Sequence, residues 1–307
     1  MHGTSGEHHL LRLDQPTTSA IVALGRVIEI WRYPVKSMGG EQLQRCVLGK
    51  LGIPGDRGWA VRDEAAGEIR GAKKLPALLL LGARYLEEPA ADRIPPAEIT
   101  FPDGGRERTD APQAAAQLTA LLGRRVTLWP RRPADDREHY RRGLPDDPDF
   151  DAELRSIFGR LPDEPLPDLS VFPRELFEYT SPLGTYFDAL PLHLLTTASL
   201  RALERLNPAS RFDRRRFRPN FLIEPEGGTD DLVDGGWCGE TLRVGGATVK
   251  VEMGTPRCSM TMQPQGDLPK DPGVLRTVVR HADQNLGVYA SVVGPGPVAV
   301  GDPVERG

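Results

Sequence analysis

Leu242-Arg243-Val244-Gly245-Gly246-Ala247-Thr248-Val249-Lys250-Val251 alternates apolar and polar residues on both sides of a glycine pair. A period of two marks a strand with one buried face, and the Gly245-Gly246 pair supplies a turn. The run leads into Met253-Gly254-Thr255-Pro256-Arg257-Cys258-Ser259-Met260-Thr261-Met262. Pro256 ends or bends the strand, and a cysteine follows with an arginine at its shoulder. A cysteine serves chemistry as the thiolate, which an adjacent cation favours. Taken alone, this segment also fits a buried structural cysteine beside a surface arginine, so the rest of the chain has to decide.

The 307 residues are 39% hydrophobic and 27% charged, an ordinary globular composition with room for one large domain or two smaller ones. A net charge of -4 without long runs of one sign gives no support to nucleic-acid binding. No apolar run approaches the ~18 residues of a membrane span, and residues 1–20 read as a flexible polar tail without a signal-peptide core. His8-His9 in that tail is too short for a metal site. Three widely spaced cysteines, Cys46, Cys238 and Cys258, form no CxxC pair. That argues against a structural zinc, a disulfide framework or an in-chain iron–sulfur cluster, and the cytoplasm is the expected compartment. The 29 prolines and 33 glycines fit short strands better than long helices.

Outward from the cysteine, other segments display anion-binding groups at element ends. Residues 21–31 read as a strand running into Tyr33-Pro34-Val35-Lys36-Ser37-Met38-Gly39-Gly40. There an ammonium, a hydroxyl and glycine N–H groups sit together, as an anion site needs, although a solvated turn has the same composition. Strands are expected over 41–48 and 59–63. Between them, Asp56-Arg57 is either an exposed ion pair worth about 0–1 kcal/mol or a second anion-binding cation. Residues 75–86 fit a buried strand or a short helix. A helix is expected over 111–122, with Leu118, Leu121 and Leu122 on one face and Gly123 after it. A strand follows over 126–129.

Residues 130–182 are rich in Pro, Asp and Arg and read as a long mobile connector or a lid, with one short helix over 149–158. Beyond them, Thr196-Thr197 caps a helix expected over 199–206, whose N-terminus offers free N–H groups. Arg214-Arg215-Arg216-Phe217-Arg218-Pro219-Asn220 feeds a strand. Pro219 is expected to hold Arg218 extended, so that Arg218 and Asn220 point the same way. A helix over 273–281 and strands over 286–293 and 298–304 complete the chain.

Lys36-Ser37, Arg57, Thr196-Thr197, Arg218 with Asn220, and Arg257 therefore supply anion-binding chemistry, and Cys258 supplies one soft sulfur. No nucleophile elbow occurs, and the six histidines lie outside any recognisable motif. Many donors and one thiolate point to a polyanionic cofactor whose metal takes sulfur.

Tyr33-Pro-Val-Lys-Ser37, Gly55-Asp-Arg57, Phe217-Arg-Pro-Asn220, Arg257-Cys258 and Gly301-Asp-Pro-Val304 occur in this order. In this the chain resembles the MOSC-domain proteins with an N-terminal MOSC β-barrel domain, the group that includes the mitochondrial amidoxime reducing component. The resemblance spans residues 24–304. It implies a mostly β fold with some α: an N-terminal β-rich domain (21–130), a connector or lid (131–182) and a MOSC β-barrel (183–307), with the cofactor in the cleft between the domains. It implies a molybdenum cofactor with Cys258 as the catalytic sulfur ligand to the metal. Lys36, Ser37, Arg57, Thr196, Thr197, Arg218, Asn220 and Arg257 match cofactor-contacting positions. The implied activity is reduction of N-hydroxylated small molecules by oxygen-atom transfer.

The chain also departs from that pattern. Gln263-Pro264-Gln265-Gly266 stands where amidoxime reducers tend to carry Asp-Pro-Asp, and residues 130–182 have no matching counterpart. Electrons are expected from a separate donor protein, because some bacterial relatives carry a ferredoxin domain that this sequence lacks. Two alternatives stay open: a non-catalytic carrier of the cofactor or of sulfur, with a persulfide on Cys258, and a pathway-specific enzyme with changed chemistry.

Overall fold

The structure is a computed structural model that describes residues 22–90 and 93–306. The expected tail at 1–20 lies outside the described residues. Strand outweighs helix, 32% to 24%, and seven strands close into a barrel, so the protein is mostly β with some helices. Leu242 to Val251 forms the expected hairpin. Thr241–Val244 pairs antiparallel with Ala247–Pro256 in the register Leu242 with Val249. Alternation puts Leu242, Val244, Val249 and Val251 into the barrel core.

The barrel closes through a strand distant in sequence. Val22–Arg32 lies between Pro303–Arg306 and Phe221–Pro225 and pairs antiparallel with both. The segment expected to open an N-terminal domain is thus a stave of the C-terminal barrel, with Val27 and Ile30 in its core. Leu192–Thr196 and Phe221–Pro225 run parallel, and here both faces are apolar. Leu194, Phe221 and Ile223 fill the barrel, whereas Leu195 and Leu222 turn outward onto Leu203, Val274 and Val278 of the covering helices. Truncating Leu222 to Ala would cost about 2–5 kcal/mol, the range for a buried leucine.

Those helices are Thr197–Leu206 and Pro272–His281. Thr196 caps the first, its hydroxyl accepting from the Ser199 N–H at 3.1 Å. Among the described residues no helix is long and apolar enough to cross a membrane.

Glu41–Leu43 pairs with Val22–Arg32 and Arg45–Leu48 with Gly296–Ala299, whereas residues 59–130 build two three-stranded sheets around a second core that includes Trp59, Leu78, Ile99 and Leu118. Residues 75–86 hold both expected forms, a 3-10 turn over Pro76–Leu80 and a strand over Gly82–Tyr85. The helix spans Pro112–Leu122, with Gly123 left-handed after it. Leu118 is buried and Leu121 exposed, so the apolar face is narrower than expected.

Residues 131–182 do not form a free connector. Helical turns occupy Arg137–Tyr140, Phe150–Phe158 and Glu175–Glu178. Tyr140 and Tyr179 are buried with Tyr186 and Ala60. Three tyrosines in one cluster bury enough apolar surface to fix the segment against the body of the protein.

Candidate active site

A cavity of about 640 Å³ lies where the N-terminal sheets, the barrel and residues 141–180 meet. Ten of its lining residues are Lys or Arg and four are Asp or Glu, in a chain whose net charge is -4. The positive charge of the protein is therefore concentrated here, in a concave site that focuses its field on an anion.

Lys36, Ser37, Arg57, Arg218, Asn220, Arg257 and Cys258 all line this cavity, so the structure brings together seven of the nine residues singled out in the sequence. Thr196 and Thr197 are not among its lining residues. The Thr196 hydroxyl is engaged in the helix cap, and the Thr197 hydroxyl donates to Glu224 Oε2. The expectation that this helix start reaches the site is corrected: the parallel strand pair directs it to the outer face of the barrel.

Among the described residues only five non-glycine residues have positive φ, and three are Ser37, Arg57 and Arg218, at +70°, +48° and +57°. A left-handed residue with a Cβ costs roughly 1–2 kcal/mol, and such strain concentrates at functional sites. The extended backbone expected at Arg218 is also corrected. Its N–H donates to the Arg214 carbonyl at 2.9 Å, closing the short helical turn Arg214–Arg216 in left-handed form before Pro219.

Tyr33 carries both outer guanidinium groups on its ring, Arg57 at 4.6 Å and Arg218 at 4.1 Å from the centroid. Its hydroxyl donates to the Pro219 carbonyl at 3.1 Å, and burial pushes its pKa up to about 12. Arg57 is paired with buried Asp56, which also accepts from the Tyr33 N–H at 2.8 Å and from Asn220 Nδ2 at 3.0 Å. The reading of Asp56-Arg57 as an exposed pair gives way to a buried network. Asn220 Oδ1 accepts from the His193 N–H at 3.1 Å, so Asn220 ties the two domains together.

Among the described residues, Arg218 and Arg257 differ from Arg57 in having no carboxylate partner. Arg218 donates Nη1 to the Met38 carbonyl, and its Nη2 is buried without a hydrogen-bond partner among the described residues. Arg257 donates to the carbonyls of Leu286 and Phe217 and to His193 Nε2 at 2.6 Å. Burial lowers both guanidinium pKa values to about 10, with Arg57 adding repulsion at Arg218. They remain cationic at neutral pH.

Lys36 donates to the Tyr186 carbonyl at 2.7 Å and to Asp188 Oδ1 at 2.8 Å, and Lys73 stands 3.7 Å from the same oxygen. Burial pushes the Asp188 carboxyl up, but Lys36 and Lys73 outweigh it and hold it far below the usual range. Ser37 Oγ accepts from the Ala72 N–H at 2.9 Å. Cys258 is half-buried and packs against Ala72, Leu79 and Met260.

Sequence reading missed Lys73, Asp188 and His193 as cavity residues, and Tyr33 as the ring on which Arg57 and Arg218 stack. Burial and then Arg257 hold the His193 imidazole well below its ordinary pKa. Gly287 carried the signal for His193. A Cβ there would lie 2.2 Å from His193 Nε2, and an isolated glycine in a strand marks such close approach.

Residues 24–121 match the MOSC N-terminal beta barrel domain and residues 184–305 match the MOSC domain. The chain is a MOSC-domain protein. MOSC domains are sulfurase-like and are associated with molybdenum cofactor binding. No curated protein matches. Among solved structures, the chain is similar to the YUAD protein from Bacillus subtilis at 14% identity, over 93% of this chain and 96% of that one, with a TM-score of 0.43. It is also similar to YiiM from Geobacillus stearothermophilus at 18% identity, over 38% of this chain and 54% of that one, with a TM-score of 0.29. A structure titled as an hypothetical protein matches at 18% identity over 38% of this chain, with a TM-score of 0.30. The chain spans 51% of that protein's length.

The donor set fits the cofactor that the domain implies. A buried, unpartnered guanidinium nitrogen on Arg218 calls for an anionic acceptor, and the same cavity displays the sulfur of Cys258.

Proposed function

We propose that the cavity holds a molybdenum cofactor and that the protein is an oxidoreductase reducing N-hydroxylated small molecules. The observation that carries this reading is the pairing, in one cavity, of the unpartnered Arg218 Nη2 with the Cys258 sulfur. A polyanion satisfies the first, and a metal that accepts thiolate satisfies the second. Arg218 and Arg257 hold the anionic and pterin parts, and Lys36, Ser37 and Arg57 complete the cradle. Asn220 acts by positioning Arg57 and the His193 backbone. Cys258 ligates the metal.

When bound, the cofactor supplies two-electron oxygen-atom exchange. Breaking one N–O bond consumes two electrons and two protons and releases water. The electrons come from a separate donor protein, since the sequence has no glycine-rich dinucleotide fingerprint with which to take hydride directly. Arg257 has only donors, so His193 Nε2 accepts from it and helps to fix that guanidinium.

The test is to make the protein in a host that synthesises the cofactor, then to measure molybdenum and pterin per chain. Turnover of an N-hydroxyamidine is assayed with a chemical reductant and with NADH. Stoichiometric metal and reduction with the chemical reductant alone are expected. Metal-free protein, or direct NADH oxidation by the isolated chain, would overturn the reading.

A further inference from the structure

Neither matched domain covers residues 122–183, yet this segment supplies a large part of the cavity wall. The side chains it contributes are mostly apolar. Phe150 and Phe177 are 61% and 53% exposed, and Leu154, Ile157, Phe158 and Phe172 are half-buried. The carboxylates among them are neutralised: Glu153 pairs with Lys74, and Glu178 with Arg141. The cavity thus has two chemistries: most of its cations and its one sulfur come from the two matched domains, while the segment between them adds Arg141 and Arg142 at one end and, over residues 144–177, a wall that is apolar apart from the paired Glu153. A wall of half-exposed aromatic rings inside a cavity gains free energy when a ligand covers it.

The wall is also held close to the sulfur. Ser259 Oγ donates to the Ile157 carbonyl at 2.9 Å and Arg160 Nη2 to the Arg257 carbonyl at 3.1 Å, so both neighbours of Cys258 are bonded to this segment.

We propose that residues 144–177 form the subsite for an uncharged apolar body of the substrate, an alkyl chain or aromatic ring, whose polar N–O end lies toward Cys258. This rests on the reading of the cavity as the reaction site. Short polar N-hydroxylated compounds then fill only the cationic part, and apolar ones gain the wall as well.

The test uses holo-protein and a series of straight-chain N-hydroxyamidines, neutral at pH 7, titrated by calorimetry without any electron donor. Affinity should rise about fourfold per added methylene, the equivalent of ~0.8 kcal/mol each, until the wall is covered. In the double variant Phe150→Ser, Phe177→Ser, both at exposed positions whose replacement leaves the core untouched, the gain per methylene should fall to about half or less. Equal affinity across the series, or an unchanged gain in the variant, would overturn the subsite. Turnover is assayed separately on the same samples. Chain-length-dependent binding without reduction would sink the reductase reading and leave the apolar subsite standing, and reduction with chain-length-independent binding would do the reverse.

Discussion

Ser259 donates its hydroxyl hydrogen to the backbone carbonyl of Ile157 across 2.9 Å. The bond joins the residue after Cys258 to the last turns of the helix Phe150–Phe158. Gly159 then turns the chain away in left-handed form, at φ +62°, directly over the Ser259 backbone. The segment between the two matched domains is therefore part of the cysteine's surroundings.

Gly159→Ala should expose that dependence. A Cβ there would stand 2.8 Å from Leu275 Cδ2 and 3.2 Å from the Ser259 Cα. Left-handed strain alone costs roughly 1–2 kcal/mol, and the contacts add to it. Ser259→Ala removes one hydrogen bond, about 0.5–1.5 kcal/mol. Urea unfolding should rank the proteins wild type, Ser259→Ala, Gly159→Ala in falling stability. A Gly159→Ala midpoint equal to wild type would contradict the packing described.

Arg57 and Arg218 separate stability from cofactor retention. Arg57→Ala leaves Asp56, whose side chain is 0% exposed, without its cation. Such a loss costs about 3–5 kcal/mol. Arg218→Gly gives up one hydrogen bond and the stacking on Tyr33, each about 1 kcal/mol, but it relieves a φ of +57° and removes a buried guanidinium nitrogen that has no hydrogen-bond partner, so losses and gains of similar size oppose one another. Molybdenum content should fall in both variants, and the unfolding midpoint should fall only in Arg57→Ala. Wild-type metal content in Arg218→Gly would remove that residue from the cradle.

The parts of this molecule legible in its sequence are those fixed by short-range chemistry. Period-two alternation over Leu242 to Val251 marked the hairpin, whose strands are Thr241–Val244 and Ala247–Pro256, and Pro256 marked the end of the second. Cations, hydroxyls and one sulfur at element ends named seven residues that line the cavity. What failed depended on distant partners. Val22–Arg32 is a strand on any local reading, but its membership of the far barrel is set by pairing with residues 221–225 and 303–306. Arg218 departs from the backbone that Pro219 favours because the preceding helical turn needs a left-handed closing residue. Thr196 was recognised as a cap, but nothing local says which side of a barrel a capped helix faces. The Pro- and Asp-rich composition of 131–182 suited a mobile connector, and Tyr140 and Tyr179 packing on Tyr186 overrode it.

His193 makes stability pH-dependent. Its imidazole is neutral in the folded protein, held well below its ordinary pKa by burial and by Arg257. The unfolded chain binds a proton near pH 6.5, so below that pH it holds more protons than the native state and stability falls with acidification. Above that pH the contribution is flat. His193→Gln keeps an acceptor for Arg257 and cannot titrate. Denaturation midpoints at pH 5 and pH 7.5 should differ more in wild type than in His193→Gln. Equal differences would mean that His193 titrates normally in the folded state.

Cys258 decides enzyme against carrier. Burial pushes the Cys46 thiol up to about 12, and it also raises that of Cys238, which is more exposed. A thiolate-directed alkylating reagent should therefore leave Cys46 unlabelled, and Cys238 should react alike with and without cofactor. Cys258 lines the cavity, so it should react in the apo protein and be protected in the holo protein if the metal takes its sulfur. Cys258→Ser should abolish reduction of an N-hydroxyamidine. It should keep the unfolding midpoint, because the side chain is half-buried and Ser is close to Cys in volume. A sulfur carrier behaves differently. Its Cys258 would hold a persulfide, visible as about 32 Da of extra mass that dithiothreitol removes, and cofactor would not protect it. Protection, loss of activity and no removable sulfur together support a metal ligand in an enzyme. A removable sulfur with equal labelling in both forms would make this chain a carrier.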